Sequence, residues 1–372
     1  MVTESWRATP SGKLRARGLG LPFPGRPGPF NSITDISPVE VGYCTLIRGE
    51  GKLVRGNGPV RTGVTAILPR GHLNANLPCA AASWSFNGNG EMTGLLWVDE
   101  SGELNTPITI TNTHSCGTSR DATIEWMIKR DAKNAERWSL PVAAETFDGD
   151  LNDINGFHVK PEHVFAALDS ARGGPLELGS VGGGTGMICY DFKGGSGTAS
   201  RLVTIAGKDH SLGAFVQSNF GLRPELTILG VPAGRMMPGN ELRGKPAGSI
   251  IVVIATDAPL LAHQLKRLAR RVPIGLARTG ASGHNSSGDI FLAFSTANDA
   301  AFAPGTSVRQ MEFLPNSQMD PLFEAVAQCV EEAIIDSMLA NETMTGIDGR
   351  TSVALPHDRL IEVLRHAGIQ IG

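Results

Sequence analysis

Residues 244–257 read GKPAGSIIVVIATD. A loop of Gly, Lys, Pro and Ala ends at Gly248, and Ser249 opens an apolar, mostly β-branched run. SIIVVIA carries no polar alternation, so both of its faces are suited to burial, as in a central strand covered on two sides. A sheet with two covered faces needs further layers around it. The opening hydroxyl, directly after a glycine, has two readings. It is an ordinary turn entering a strand, or Gly248–Ser249 is a bond with its own chemistry.

Working outward, Asp257 is expected to cap the helix written by PLLAHQLKRLARR (259–271). GDIFLAFSTAN (288–298) reads as a strand. Residues 320–341 read as a long amphipathic helix, and PHDRLIEVLRHAG as a last one. Upstream, short strands and turns fill 39–69, and PITITNT (107–113) is another buried strand. Residues 118–132 and 161–171 have helical spacing, the second with Pro161 near its start. GSVGGGTGMICYDFKGGSGTASR is a glycine-dense stretch. Residues 220–248 are irregular, and 1–40 form a Gly/Pro-rich ordered arm. Strands dominate early and helices mix in later, without regular βαβα alternation, so the expected class is α+β.

The chain has 372 residues, 41% hydrophobic and 19% charged, with a net charge of −3. That length suits one large globular unit or two closely packed halves. The charge gives no footing to nucleic acid or to a membrane surface. The five cysteines, widely spaced and without a CxxC pair, read as reduced thiols in a cytoplasmic protein. The N-terminus lacks the apolar core of a signal peptide, and no run is long enough to span a bilayer.

Several chemistries find no anchor. Gly239 and Gly244-Lys245 have phosphate-loop spacing, but Pro246 stands where Ser or Thr is required. GGGTGM (182–187) breaks the dinucleotide fingerprint at Met187. No HxH or HExxH pair exists, His158 and His163 are poorly spaced for a metal, and there is no GxSxG elbow. No metal or organic cofactor is expected.

The Gly–Ser bond admits a specific reaction. A serine hydroxyl can attack the preceding carbonyl, turning the peptide into an ester that water then cuts. The residue before it must tolerate crowding and unusual φ/ψ, which glycine does. The cut would leave Ser249 with a hydroxyl and a free α-amine. Such an amine has a reference pKa of about 7.7–8.0 and can serve as base for its own hydroxyl near neutrality. Spacing alone still favours the turn.

The chain as a whole resembles the bacterial L-aminopeptidase/D-amidase/D-esterase family, which includes the β-peptidyl aminopeptidases. The likeness runs from RARGLGLPFPG (15–25) to DRLIEVLR (358–365). It is carried by GVTAILPRG (63–71), FNGNGEMTG (86–94), ITNTH (110–114), PVAAETFDGDLNDING (141–156), GGGTGM, FKGGSGTASR (192–201), GSIIVVIATD, HQLKRLARR (263–271) and SGDIFLAFSTAN (287–298).

The resemblance implies a four-layer αββα sandwich shared with the ornithine acetyltransferases. It implies self-cleavage at Gly248–Ser249 into an α chain of 1–248 and a β chain of 249–372 that stay together, and assembly into oligomers, taken here as a tetramer of αβ units. Ser249 matches the family nucleophile. Ser287 and Asp289 match its Ser-x-acid pair, which relays protons or orients the amine or hydroxyl. Asn219 matches the oxyanion donor, and Glu145 the carboxylate that holds the substrate's ammonium. Trp138 is expected in the same pocket, and Gly183 and Gly184 in a loop that brings backbone close to substrate. Phe147 stands where some members have tyrosine, which removes a hydroxyl donor and bears on substrate preference.

The implied activity is release of small N-terminal residues from peptides, amides or esters through an acyl-enzyme on Ser249. A β-peptidyl aminopeptidase is the nearest alternative. An acyltransferase, or a non-catalytic relative of the same fold, is the more distant one.

Overall fold

The computed structural model describes residues 4–244 and 248–372. The loop reading of 245–247, with the phosphate-loop comparison at Lys245 and Pro246, lies outside the described residues.

Two sheets form the centre. The smaller contains β1 (Glu40–Arg48), β2 (Val60–Leu68), β5 (Ile108–Asn112) and β6 (Val142–Thr146), in that spatial order. The larger has the order β4-β3-β12-β11-β10-β9. Its members are β3 (Cys79–Gly88), β4 (Glu103–Leu104), β9 (Gly195–Ile205), β10 (Lys208–Asn219), β11 (Ser249–Thr256) and β12 (Gly288–Ser295). A short hairpin of β7 (Ile188–Cys189) and β8 (Phe192–Lys193) precedes β9. The helices are α1 (Leu95–Ser101), α2 (Cys116–Arg130), α3 (Pro161–Asp169), α4 (Ala233–Met236), α5 (Ala262–Ala269), α6 (Val272–Arg278), α7 (Asp299–Phe302), α8 (Asp320–Leu339) and α9 (His357–His366).

Each sheet holds one parallel pair, β5/β6 and β11/β12, and its other pairings are antiparallel. Parallel neighbours require a crossover, commonly helical. Helix α2 connects β5 to β6, and α5 with α6 connects β11 to β12, so helices fall on the outer faces of both sheets.

Three separate apolar cores show the layering. One lies between α2 and α3 and the small sheet, built on Val64, Ala66, Leu68, Trp126, Val164 and Leu168. A second lies between the sheets, where Ile67, Ile108 and Val142 meet Phe215, Ile251, Val253 and Leu292. The third lies between the large sheet and helices α5, α6, α8 and α9. Strand β11 feeds two of them: Ile250, Val252 and Ile254 point to the helices, and Ile251, Val253 and Ala255 to the other sheet. Every residue of β11 is buried. The α+β expectation and the αββα layering both hold.

Two local expectations are corrected. Asp257 does not cap the next helix, which starts only at Ala262 after Pro259; its carboxylate instead accepts the Ser211 amide at 2.8 Å. The expected single helix over 259–271 is two, α5 ending at Ala269 and α6 starting at Val272, with Pro273 in the first turn of the second. All five cysteines are free; four are buried, and Cys44 is half-buried. Among the described residues, no helix is long and apolar enough to cross a membrane.

The N-terminal arm is tied down by charge. Arg15 Nε donates to Asp336 at 2.8 Å, and Arg17 and Arg201 both reach Glu332 on α8, at 2.8 and 2.5 Å. Glu332 and Asp336 have no exposed side-chain surface.

Candidate active site

Strand directions assemble the site. Because β11 and β12 are parallel, their first residues lie side by side, with Ser249 opposite Gly288. Because β10 is antiparallel to β11, its last residue comes to the same edge, with Asn219 opposite Ser249. Ser249 shares strand parity with Ile251 and Val253, so its side chain faces the gap between the sheets. There its Oγ accepts the Gly288 amide at 3.1 Å. Ser249 is buried to within 6% of its surface.

Gly248 has φ of +109°, a conformation that strongly favours glycine. Space excludes anything larger as well: a Cβ there would lie 1.7 Å from the Asn219 carbonyl oxygen. The glycine before the serine is thus required twice over, by backbone and by packing.

Asp289 follows at the start of β12, where the register with β3 shifts between Asp289 and Ile290. Its Oδ1 accepts the Ser287 hydroxyl at 2.6 Å, and its Oδ2 accepts Asn87 Nδ2 at 3.0 Å. Burial pushes the Asp289 carboxyl above its ordinary value, against the opposing pull of Ser287, Asn87 and the Ile250 amide. A cavity of about 10 Å³, lined in part by Glu225, His284, Ser287 and Asp289, adjoins this pair. That is about the room one water needs.

Asn219 is fully buried. Its Oδ1 accepts the Ile188 amide at 2.9 Å and Arg243 Nη2 at 2.8 Å. Its Nδ2 donates to the Phe147 carbonyl at 2.8 Å. Two donors on the oxygen define which end of the amide is nitrogen, so the amide presents N–H groups on its other side.

Glu145 lies on β6, in the opposing sheet. Its carboxylate accepts the Glu91 amide at 2.8 Å and the Thr113 hydroxyl. Burial raises its pKa, partly offset by those hydrogen bonds. It approaches the start of β11 and β12 through Gly90. A Cβ on that glycine would lie 3.2 Å from Gly288 Cα and 3.3 Å from Glu145 Oε1. Phe147, just after β6, is 42% exposed.

Two groups of expected residues sit elsewhere. Trp138 is 64% exposed and packs edge-to-face on Trp97 at 5.0 Å. It lines a surface groove of about 850 Å³ with Asn74, Met127 and Phe302 but without Glu145, Asn219 or Ser249. It follows the short turn after α2, before β6 enters the sheet, which leaves it at the surface of this chain. Gly183 and Gly184 are buried in protein rather than lining open space. A Cβ on Gly183 would lie 2.3 Å from Gln217 Oε1, and one on Gly184 2.3 Å from the Ser196 amide nitrogen. Their smallness lets this turn fit between the sheets.

Sequence reading did not single out Asn87 or Arg243. Asn87 stands inside the quoted FNGNGEMTG stretch, but nothing local marks it as a partner of Asp289. Arg243 is 24 residues from Asn219, in a segment without periodicity.

The model of peptidase family S58 matches residues 31–352. The chain belongs to peptidase family S58. It is 51% identical over 366 residues to the beta-peptidyl aminopeptidase BapA of Sphingosinicella microcystinivorans, covering 94% of this chain and 92% of the relative. Among solved structures it superposes on the L-aminopeptidase D-Ala-esterase/amidase of Ochrobactrum anthropi with a TM-score of 0.89 at 47% identity, over 96% of this chain and 99% of that one. That protein is described as a prototype serine aminopeptidase and a variant of the Ntn hydrolase fold. A Burkholderia beta-aminopeptidase superposes with a TM-score of 0.87 at 44% identity, over 96% of this chain and 100% of the other. As an S58 member the chain is a hydrolase of the serine aminopeptidase class.

Proposed function

We propose that this S58 peptidase cuts itself at Gly248–Ser249 and then uses Ser249 to remove small N-terminal residues from short peptides, amides or esters. One observation carries the reading. Ser249 opens a buried central strand behind a glycine at φ +109°, with an asparagine amide opposite and a Ser–Asp pair beside it.

In maturation, Ser249 Oγ attacks the Gly248 carbonyl carbon. The C–N bond breaks, an ester forms, and the former amide nitrogen becomes the Ser249 amine. Water cleaves the ester, leaving a carboxylate on Gly248. In turnover, the neutral amine of Ser249 takes the proton from its own Oγ as the oxygen attacks the substrate carbonyl. The Asn219 N–H that is not bonded to the Phe147 carbonyl stabilises the oxyanion. The proton passes to the leaving amine, and water releases the acyl group. Ser287 and Asp289 hold the amine in place. Glu145 pairs with the substrate's ammonium, whose burial without a counter-charge would be costly.

A second reading concerns the substrate. The similarity to beta-peptidyl aminopeptidases spans nearly the whole chain, which favours N-terminal β-amino acids such as β-alanine. The α and β chains are proposed to remain one unit and to form a tetramer, which light scattering after chromatography measures.

Intact mass under denaturing conditions tests the main reading. Two fragments dividing at Gly248–Ser249 are expected in the wild type, and one chain in Ser249→Ala. An intact wild-type chain would count against it. p-Nitroanilides of L-Ala, D-Ala and β-Ala then separate the substrate readings.

A further inference from the structure

Arg243 lies in the segment that ends at the scissile bond. Its guanidinium is nearly buried, with 3% of the side chain exposed. Nε donates to Asp150 at 2.7 Å, and the Arg243 backbone amide donates to Asp191 Oδ1 at 2.8 Å. Nη2 donates to Asn219 Oδ1 at 2.8 Å. Among the described residues, Nη1 makes only longer contacts, to the Ile188 carbonyl at 3.2 Å and the Asn219 carbonyl at 3.5 Å. It also sits beside Gly248, 3.0 Å from where a Cβ would be.

Two consequences follow. An asparagine serves as an oxyanion donor only when its nitrogen, not its oxygen, faces the reacting carbonyl. Arg243 supplies one of the two donors that hold Asn219 Oδ1 away from that side, with the Ile188 amide as the other. And cleavage of the Gly248–Ser249 bond would create a carboxylate on Gly248, next to the edge of the guanidinium whose contacts with the described residues are long. Arginine is well suited to a carboxylate, and the long Nη1 contacts to the Ile188 and Asn219 carbonyls can give way to one.

We propose that Arg243 is a positioning residue with two tasks: it orients the Asn219 amide, and it binds the carboxylate that self-cleavage creates at Gly248. The inference rests on the self-processing reading. Only 244–247 separate Arg243 from Gly248, so the new terminus stays tethered near the guanidinium at high effective concentration. Held there, the carboxylate is kept from ion-pairing with the Ser249 amine, and the amine stays available as a base.

The test uses full-length Arg243→Ala and Arg243→Gln beside the wild type and Ser249→Ala. Intact mass follows cleavage, steady-state kinetics follow the processed fraction, and carboxypeptidase trimming of the α chain reports whether its terminus is held. The expected result for Arg243→Ala is cleavage at least tenfold slower and kcat at least tenfold lower, with KM within twofold. Its Gly248 end should also be trimmed at least tenfold faster than in the wild type. Millimolar guanidinium should restore part of the rate, which a merely structural defect would not allow. Arg243→Gln is read in the same way if the alanine variant fails to fold. Variants that cleave, turn over and resist trimming within twofold of the wild type overturn the assignment, while wild-type cleavage leaves the processing reading standing. A wild type that stays intact overturns both, since the carboxylate never forms.

Discussion

Asn219 and Ser249 are register partners at the shared edge of β10 and β11, so the proposed oxyanion donor and the proposed nucleophile come from adjacent, oppositely directed strands. The backbone ladder fixes their separation, and the buried amide has its oxygen already satisfied.

Asn219→Ala removes the proposed oxyanion donor. We expect kcat to fall by about 10²–10³-fold with KM little changed, the range for a single such donor. Steady-state kinetics on the processed fraction check this. An unchanged kcat would leave Asn219 as a strand-end packing residue.

Glu145 has its pKa raised by burial. A carboxylate shifted upward takes up its proton at a higher pH than usual. Ammonium binding should therefore fade as pH falls, beginning above the ordinary carboxylate range. Glu145→Gln should raise KM by roughly 10–100-fold for substrates with a free amine, since it removes a charged partner from a buried ammonium. pH profiles of kcat/KM for wild type and variant give the comparison.

Glu332 pairs with Arg17 and Arg201, joining the N-terminal arm and β9 to α8 across the proposed α/β boundary. These arginines hold its carboxyl down at about 2, against a burial penalty in the other direction. A depressed carboxylate stabilises fully above its unfolded value, near 4.5, and that contribution is lost as pH falls towards 2. Glu332→Gln leaves the buried Arg201 and the half-buried Arg17 short of an anion and should cost about 3–5 kcal/mol. Urea melts at pH 7 should show the loss, and at pH 3 a smaller one.

Gly183→Ala distinguishes packing from substrate contact at the glycine turn. A methyl there meets Gln217 Oε1 and the Ile110 carbonyl within 2.5 Å. We expect destabilisation of about 1–3 kcal/mol from overpacking. A variant as stable as the wild type but altered in KM would restore the substrate reading.

The run SIIVVIAT was legible because burial on both faces leaves no polar alternation, and that condition demands layers on each side of the strand. Helix α9 was legible through its 3.6-residue spacing, whereas α8, expected to be amphipathic, is buried at every residue from Ala325 to Leu339. The family motifs marked Ser249, Ser287, Asp289, Asn219 and Glu145 as candidates, and the fold brings all of them to one end of the sheets. Asp257 misled because an acidic residue before an apolar run looks like a cap, whereas the neighbouring strand β10 offered its amide a nearer partner. Nothing in the sequence around Trp138 marked the surface groove that its ring lines.

By itself the sequence determined which segments could be buried, where the chain had to turn, and that a glycine precedes the serine. Tertiary structure alone decided which strands run parallel, and therefore that Ser249 meets Gly288 and Asn219. It also decided that Asn87 reaches Asp289 and that Arg243 reaches Asn219. Periodicity records the environment of each residue along its own element. Partnership between elements is set by strand order and direction, which follow from packing the three cores at once and leave no mark at any single position.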